Sequence, residues 1–167
     1  DKTYQFLLIF LAFLLPITVF GANVIIGIIV ILCFVTGTFK DNLSQILANR
    51  LLVSSIIFYL LHLIGLLWSE DLVWGLHISR KMWYFILLFP LLFIITKREY
   101  VNYYIFAFLS AIFLTEVLSF LNWFNLIPDF KNSTGTNPTP FMSHISYNPI
   151  LAFSIYLLSH KILFNTE

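Results

Sequence analysis

The chain has 167 residues, 60% of them hydrophobic and 10% charged, with a net charge of +1 and a mean hydropathy of +0.93. Soluble domains carry roughly 45–50% apolar and about 25% charged residues, so water is excluded as the main solvent of this fold. The scattered charges provide no nucleic-acid face, and the single Cys33 excludes an intrachain disulfide.

A membrane-spanning helix needs about 20 mostly apolar residues. Six segments approach that length, at 4–20, 22–39, 51–68, 83–96, 100–127 and 144–163. The apolar runs are continuous, without a period of two, which argues for helices rather than barrel strands. The first run lacks a basic leading region and a small-residue cleavage site. A second run follows directly after Gly21-Ala-Asn, so the pair reads as a transmembrane hairpin rather than a signal peptide. Pro16 and Pro90 fall inside spans, where kinks are tolerated. The fourth span is short and is expected to borrow a turn from the loop before it. Because the chain starts at Asp1 and stops at Glu167 just after an apolar run, it is expected to be a piece of a longer protein.

The fold expected is therefore all-α, a polytopic transmembrane helical bundle of about six spans in one domain over residues 1–167. The loops at 69–82 and 128–143 are expected to be external. Lysine and arginine bias sets this orientation. With the N-terminus inside, Lys2, Lys40, Arg50, Lys97, Arg98 and Lys161 face the cytoplasm, against Arg80, Lys81 and Lys131 outside. Trp68, Trp74, Trp83 and Trp123 all then fall near the outer face, where indoles favour the interface.

The loop at 69–82 is the most informative stretch. Ser69 is positioned to N-cap a short interfacial helix, with Glu70 and Asp71 in its first turn at the positive dipole end. On that helix His77, Arg80, Lys81 and Tyr84 share one face at i, i+3, i+4 and i+7. Two cations and an imidazole at headgroup depth suit a phosphate or pyrophosphate lipid. Arg offers a bidentate fork for the oxyanion, and Lys a mobile point charge. The alternative is that Arg80 and Lys81 are ordinary anchors reaching lipid headgroups.

Glu116 falls in the outer half of the fifth span. An ionisable group there faces either the protein interior or a watery cavity, or it simply hydrogen-bonds neighbouring helices. His62, in the third span, reads as a packing residue. The loop at 128–143 is polar and turn-rich and carries the glycosylation pattern Asn132-Ser-Thr in a context that looks bacterial. At its far boundary His144, Tyr147 and Asn148 gather. Asn148 before Pro149 fits an N-cap with proline at the first helical position. An imidazole at His144 has no capping reason, and a general base or hydroxyl-orienting group would be correctly placed there.

No phosphate loop, dinucleotide fingerprint or metal-ligand spacing occurs, so no cofactor and no metal are expected. Chemistry on the outer face would need a substrate already activated. The run Leu66-Leu-Trp-Ser-Glu-Asp-Leu-Val-Trp-Gly-Leu-His-Ile-Ser-Arg-Lys resembles the W-S-x-D/P … L-R-K segment after the third span of O-antigen ligases and related polymerases. Pro140-Phe-Met-Ser-His-Ile-Ser-Tyr-Asn-Pro-Ile-Leu-Ala resembles the His-containing start of their next span. The resemblance covers most of the chain in the same order and with similar spacing.

It implies a metal-independent glycosyltransferase moving a glycan from undecaprenyl pyrophosphate to lipid A–core or to a growing polysaccharide, on the periplasmic side of the bacterial inner membrane. The resemblance would give Arg80 and Lys81 the pyrophosphate and place His144 near the acceptor or glycan path; His77, by its shared helix face, and Glu116, by its place in a span, are further substrate-binding candidates. The main catalytic residues would lie beyond Glu167, and the fragment alone would be inactive. A transporter with Glu116 and His62 as a proton or substrate path is the alternative.

Overall fold

The computed structural model describes residues 2–41, 43–128, 130 and 139–164, which are mostly helical and contain no strand. Nine α-helices occur among them: α1 (Lys2–Leu14), α2 (Val19–Val35), α3 (Thr38–Asp41), α4 (Leu43–Ala48), α5 (Arg50–Gly65), α6 (Leu72–Lys81), α7 (Leu88–Ile95), α8 (Val101–Trp123) and α9 (His144–Phe164). Short 3-10 turns at Leu66–Trp68, Trp83–Phe85 and Arg98–Tyr100 connect several of them. The Asn132 glycosylation pattern and Lys131 lie outside the described residues.

Among the described residues two stretches are long and apolar enough to cross a membrane, Arg50–Trp68 and Arg98–Trp123. Leu72–Lys81 and Trp83–Ile95 qualify together as a pair bent by 42°. Helices α1 and α2 are apolar but shorter, at 13 and 17 residues. Thirteen residues at 1.5 Å each extend only about 20 Å, against a hydrocarbon core of about 30 Å.

Proline explains two departures from the expected boundaries. Pro16 does not kink a long first span but follows its end, because α1 stops at Leu14 and the chain turns before Val19. The break between the first two helices therefore falls at 15–18, and Gly21 to Asn23 are already helical. Pro90 occupies the first turn of α7. There its missing N–H would have had no intrahelical partner anyway.

The chain divides into two compact units, Asp1–Gly27 with Lys97–Glu167, and Ile28–Thr96. In the first, α1 packs along α8. The buried face of α8 includes Ala107, Ala111, Thr115 and Ser119, one every fourth residue, and such small side chains let helix backbones approach closely. α1 buries Tyr4, Gln5, Leu8 and Leu11. Tyr104 donates a hydrogen bond to the Gln5 side-chain oxygen, while Ala107 shares a cleft with Phe10 and Phe13. The pairings advance together along both helices, so α1 and α8 run parallel. α9 runs antiparallel to α8. Tyr147 near its start meets Glu116, and Phe153 further on meets Phe108 edge-to-face at 6.0 Å.

α8 ends earlier than its apolar run implies. Asn125 adopts φ 54°, with Asn125 N–H bonded to the Asn122 carbonyl and Leu126 N–H to that of Leu121, both at 2.9 Å. This is a Schellman closure, and asparagine is one of the few residues that tolerate its left-handed position.

In the second unit α5 is capped by Asn49, whose side chain accepts from the N–H groups of Leu51 at 3.0 Å and Leu52 at 3.4 Å. The turn at 83–85 is tied to α5 by Ser55 Oγ donating to the Phe85 carbonyl and by the Phe58–Phe85 edge contact at 5.1 Å. The expected connection at 40–50 contains α4 and the end of α3, which begins at Thr38.

Candidate functional site

α6 realises the short helix expected in the loop at 69–82, with a different cap. Asp71 is the N-cap, its Oδ1 accepting from the Trp74 N–H at 2.9 Å. Ser69 lies outside the helix and its hydroxyl donates to the Asp71 carbonyl at 2.9 Å. A carboxylate suits this position better than a hydroxyl, because it also meets the positive end of the helix dipole.

His77, Arg80 and Lys81 are exposed on α6. The His77 ring stacks on Trp74 one turn earlier, with centroids 5.6 Å apart and planes at 29°. Arg80 and Lys81 form the last turn, where cations also complement the negative end of the dipole. Tyr84 leaves the shared face. The α-helix ends at Lys81, and the 3-10 turn at 83–85 changes the angular step per residue. Tyr84 packs instead beside Trp83, with centroids 4.6 Å apart.

A cleft of about 510 Å³ separates α6 from the end of α5, lined in part by His62, Ser69, Gly75 and Ser79. His62 packs edge-on against Phe58, with ring centroids 4.6 Å apart, and its Nδ1 lies 3.0 Å from the Phe58 carbonyl. Gly75 permits the close approach. A Cβ built there would lie 2.6 Å from a Leu66 methyl and 3.3 Å from Ser69 Oγ.

The second constellation belongs to the other unit. Glu116, half-buried on α8, accepts a hydrogen bond from the Tyr147 hydroxyl at 2.9 Å. Tyr147 is 3% exposed and packs with Ile112 and Met142. The carboxylate also borders an apolar cleft of about 690 Å³ whose walls include Phe113, Leu151 and Ile155. Along the same helix Thr115 donates back to the Ala111 carbonyl at 2.8 Å. Ser119 Oγ is buried with no hydrogen-bond partner among the described residues.

The expected cap at Asn148 is not formed. α9 starts at His144, and the Ser143 carbonyl receives the N–H groups of Ser146 and Tyr147, both at 3.0 Å. Pro149 consequently lies inside the helix, where it cannot bond the Ile145 carbonyl. His144 is exposed as the first residue of α9, one turn before Tyr147. His144 thus precedes the Tyr147–Glu116 contact by one turn of α9.

Of the five sequence candidates, His77, Arg80 and Lys81 share α6, and Glu116 and His144 belong to the other unit. Two contacts escaped sequence reading. In the sequence Tyr147 is legible only as one of a boundary cluster, and nothing in it pairs Gln5 with Tyr104. The signal for Gln5 was available, since a primary amide in an apolar run needs a partner. Among the described residues, no group of three or more His, Cys, Asp or Glu is placed to hold a metal ion. Comparison with known proteins gives no matching family model, no matching curated protein and no matching solved structure.

Proposed function

We propose that this chain is part of a multi-pass glycosyltransferase of the bacterial inner membrane, of the O-antigen ligase or polymerase kind. It would cross the bilayer about six times, with both ends of the chain cytoplasmic and α6 at the outer surface. The observation that carries the reading is α6 itself. It is a capped ten-residue helix between two apolar helical segments, with exposed His77, Arg80 and Lys81 and with Leu72, Val73 and Leu76 exposed for contact with lipid.

In this reading an acceptor hydroxyl on lipid A–core or a growing polysaccharide attacks the anomeric carbon of a glycan carried on undecaprenyl pyrophosphate. The new C–O bond forms as the sugar–phosphate C–O bond breaks. The acceptor proton passes to a base, and undecaprenyl pyrophosphate departs. Arg80 and Lys81 oppose the charge developing on the leaving group, with Arg80 supplying the two-pronged contact.

The experiment is Arg80→Ala in the complete protein in cells. Attachment of surface glycan is lost while the protein remains inserted at normal abundance, and Arg80→Lys restores part of it. Normal glycan with Arg80→Ala would remove the pyrophosphate role.

A second reading, a transporter, draws support from Glu116 bordering a cleft within a candidate span. Its signature is loss of transport in Glu116→Gln. Full activity of that variant counts against it.

A further inference from the structure

The seam between α1 and α8 contains two clefts with different chemistry. The first, about 620 Å³, is lined by Lys2, Gln5, Glu99, Tyr100 and Tyr103, together with Phe6 and Ile9. The second, about 440 Å³, is lined by Phe6, Leu7, Ile9, Phe10, Phe13 and Ala107, without a polar side chain. They share Phe6 and Ile9, so together they make one groove with a polar end and an apolar end.

The groove's direction is set by the candidate span Arg98–Trp123. Glu99 and Tyr100 stand at the beginning of that span, where a bilayer crossed by it would meet water. Ala107 is two turns further into it. A groove that changes from charged to apolar along a bilayer-crossing helix follows the order of a lipid, with its head at the surface and its chains within.

The charges narrow the head group. Lys2 and Glu99 are both exposed, and among the described residues neither forms an ion pair. One cation and one carboxylate therefore line the same cleft without neutralising each other. An anionic head group would satisfy Lys2 but meet repulsion from Glu99. A head group carrying phosphate and a primary ammonium satisfies both, with Tyr100 and Tyr103 adding ring faces that attract the ammonium. Their centroids lie 6.0 Å apart.

We infer that the α1–α8 seam is a binding site for one zwitterionic phospholipid of the phosphoethanolamine class. Lys2 takes the phosphate, Glu99 the ammonium, and Phe6, Ile9, Phe10 and Phe13 an acyl chain.

The test is native mass spectrometry of the protein released from bicelles of equimolar phosphatidylethanolamine and phosphatidylglycerol, counting bound lipids. Phosphatidylethanolamine adducts exceed phosphatidylglycerol by about fivefold, the size of one solvent-exposed ion pair. Glu99→Gln brings the ratio towards one by releasing phosphatidylethanolamine selectively. Lys2→Ala lowers both adducts, and Lys2→Arg restores them. An equal ratio in the unmodified protein overturns the proposal, as does a ratio that Glu99→Gln leaves unchanged. Displacement by excess inorganic phosphate with no preference between lipids would reduce the cleft to a simple anion site and also overturn it. Helix content and burial of Cys33, measured on every variant, separate loss of the site from loss of the fold.

Discussion

The Tyr147 hydroxyl donates to the Glu116 carboxylate at 2.9 Å, joining α9 to α8 across 31 residues of sequence. It satisfies one lone pair of a carboxylate held half-buried in a candidate span, where water is scarce and an unsatisfied group is costly.

The pair is therefore expected to be energetically coupled. Hydrogen bonds between membrane helices contribute on average about 0.6 kcal/mol and at most about 1.7. Tyr147→Phe and Glu116→Ala should each destabilise the protein, and the double variant should cost less than their sum by about 1 kcal/mol. Unfolding in mixed micelles measures the cycle. Strict additivity would show that the contact contributes nothing.

At α6 the cap assignment separates two neighbouring residues. Asp71→Ala should cost about 1 kcal/mol of local helix stability and speed exchange of the Trp74 amide. Ser69→Ala should do less, because its hydroxyl bonds a carbonyl rather than a helix-end N–H. Hydrogen exchange resolved at Trp74 reads both. Equal effects would return the cap to a shared role.

Asn125 provides a backbone test. At φ 54° glycine fits without strain, whereas a β-branched residue meets its own carbonyl. Asn125→Gly should leave the melting temperature close to its starting value. Asn125→Val should lower stability by about 1–2 kcal/mol. A valine variant as stable as the parent would contradict the left-handed closure.

Cys33 reports on the unit formed by Ile28–Thr96. It is fully buried on α2, so its thiol should react with a maleimide only after unfolding. Protection should disappear in parallel with helix loss as detergent denaturant is added. Rapid labelling of the folded protein would place the buried face of α2 elsewhere.

The helical class was legible from composition and runs of apolar residues, because continuous apolar runs without a period of two favour helices, whose backbones satisfy themselves. The two qualifying spans, Arg50–Trp68 and Arg98–Trp123, fall on the expected third and fifth segments. The helix in the loop at 69–82 was legible as well, since its acidic start and basic end mark a short capped helix. Boundaries were less legible. Hydropathy does not distinguish an apolar helix from an apolar turn, so the break at Pro16 and the closure at Asn125 were hidden in continuous runs, whereas the polar Arg80 and Lys81 marked the break at Met82.

The sequence by itself determined the helical class and the apolar runs that make candidate membrane spans, because these follow from side-chain hydrophobicity and its period along the chain. Only the tertiary structure decided which polar groups meet. Gln5 finds Tyr104, Glu116 finds Tyr147, and Lys2 lines a cleft with Glu99. These pairs lie far apart in the chain, and their partners depend on which helix faces pack together, which a run of uniformly apolar residues leaves unspecified.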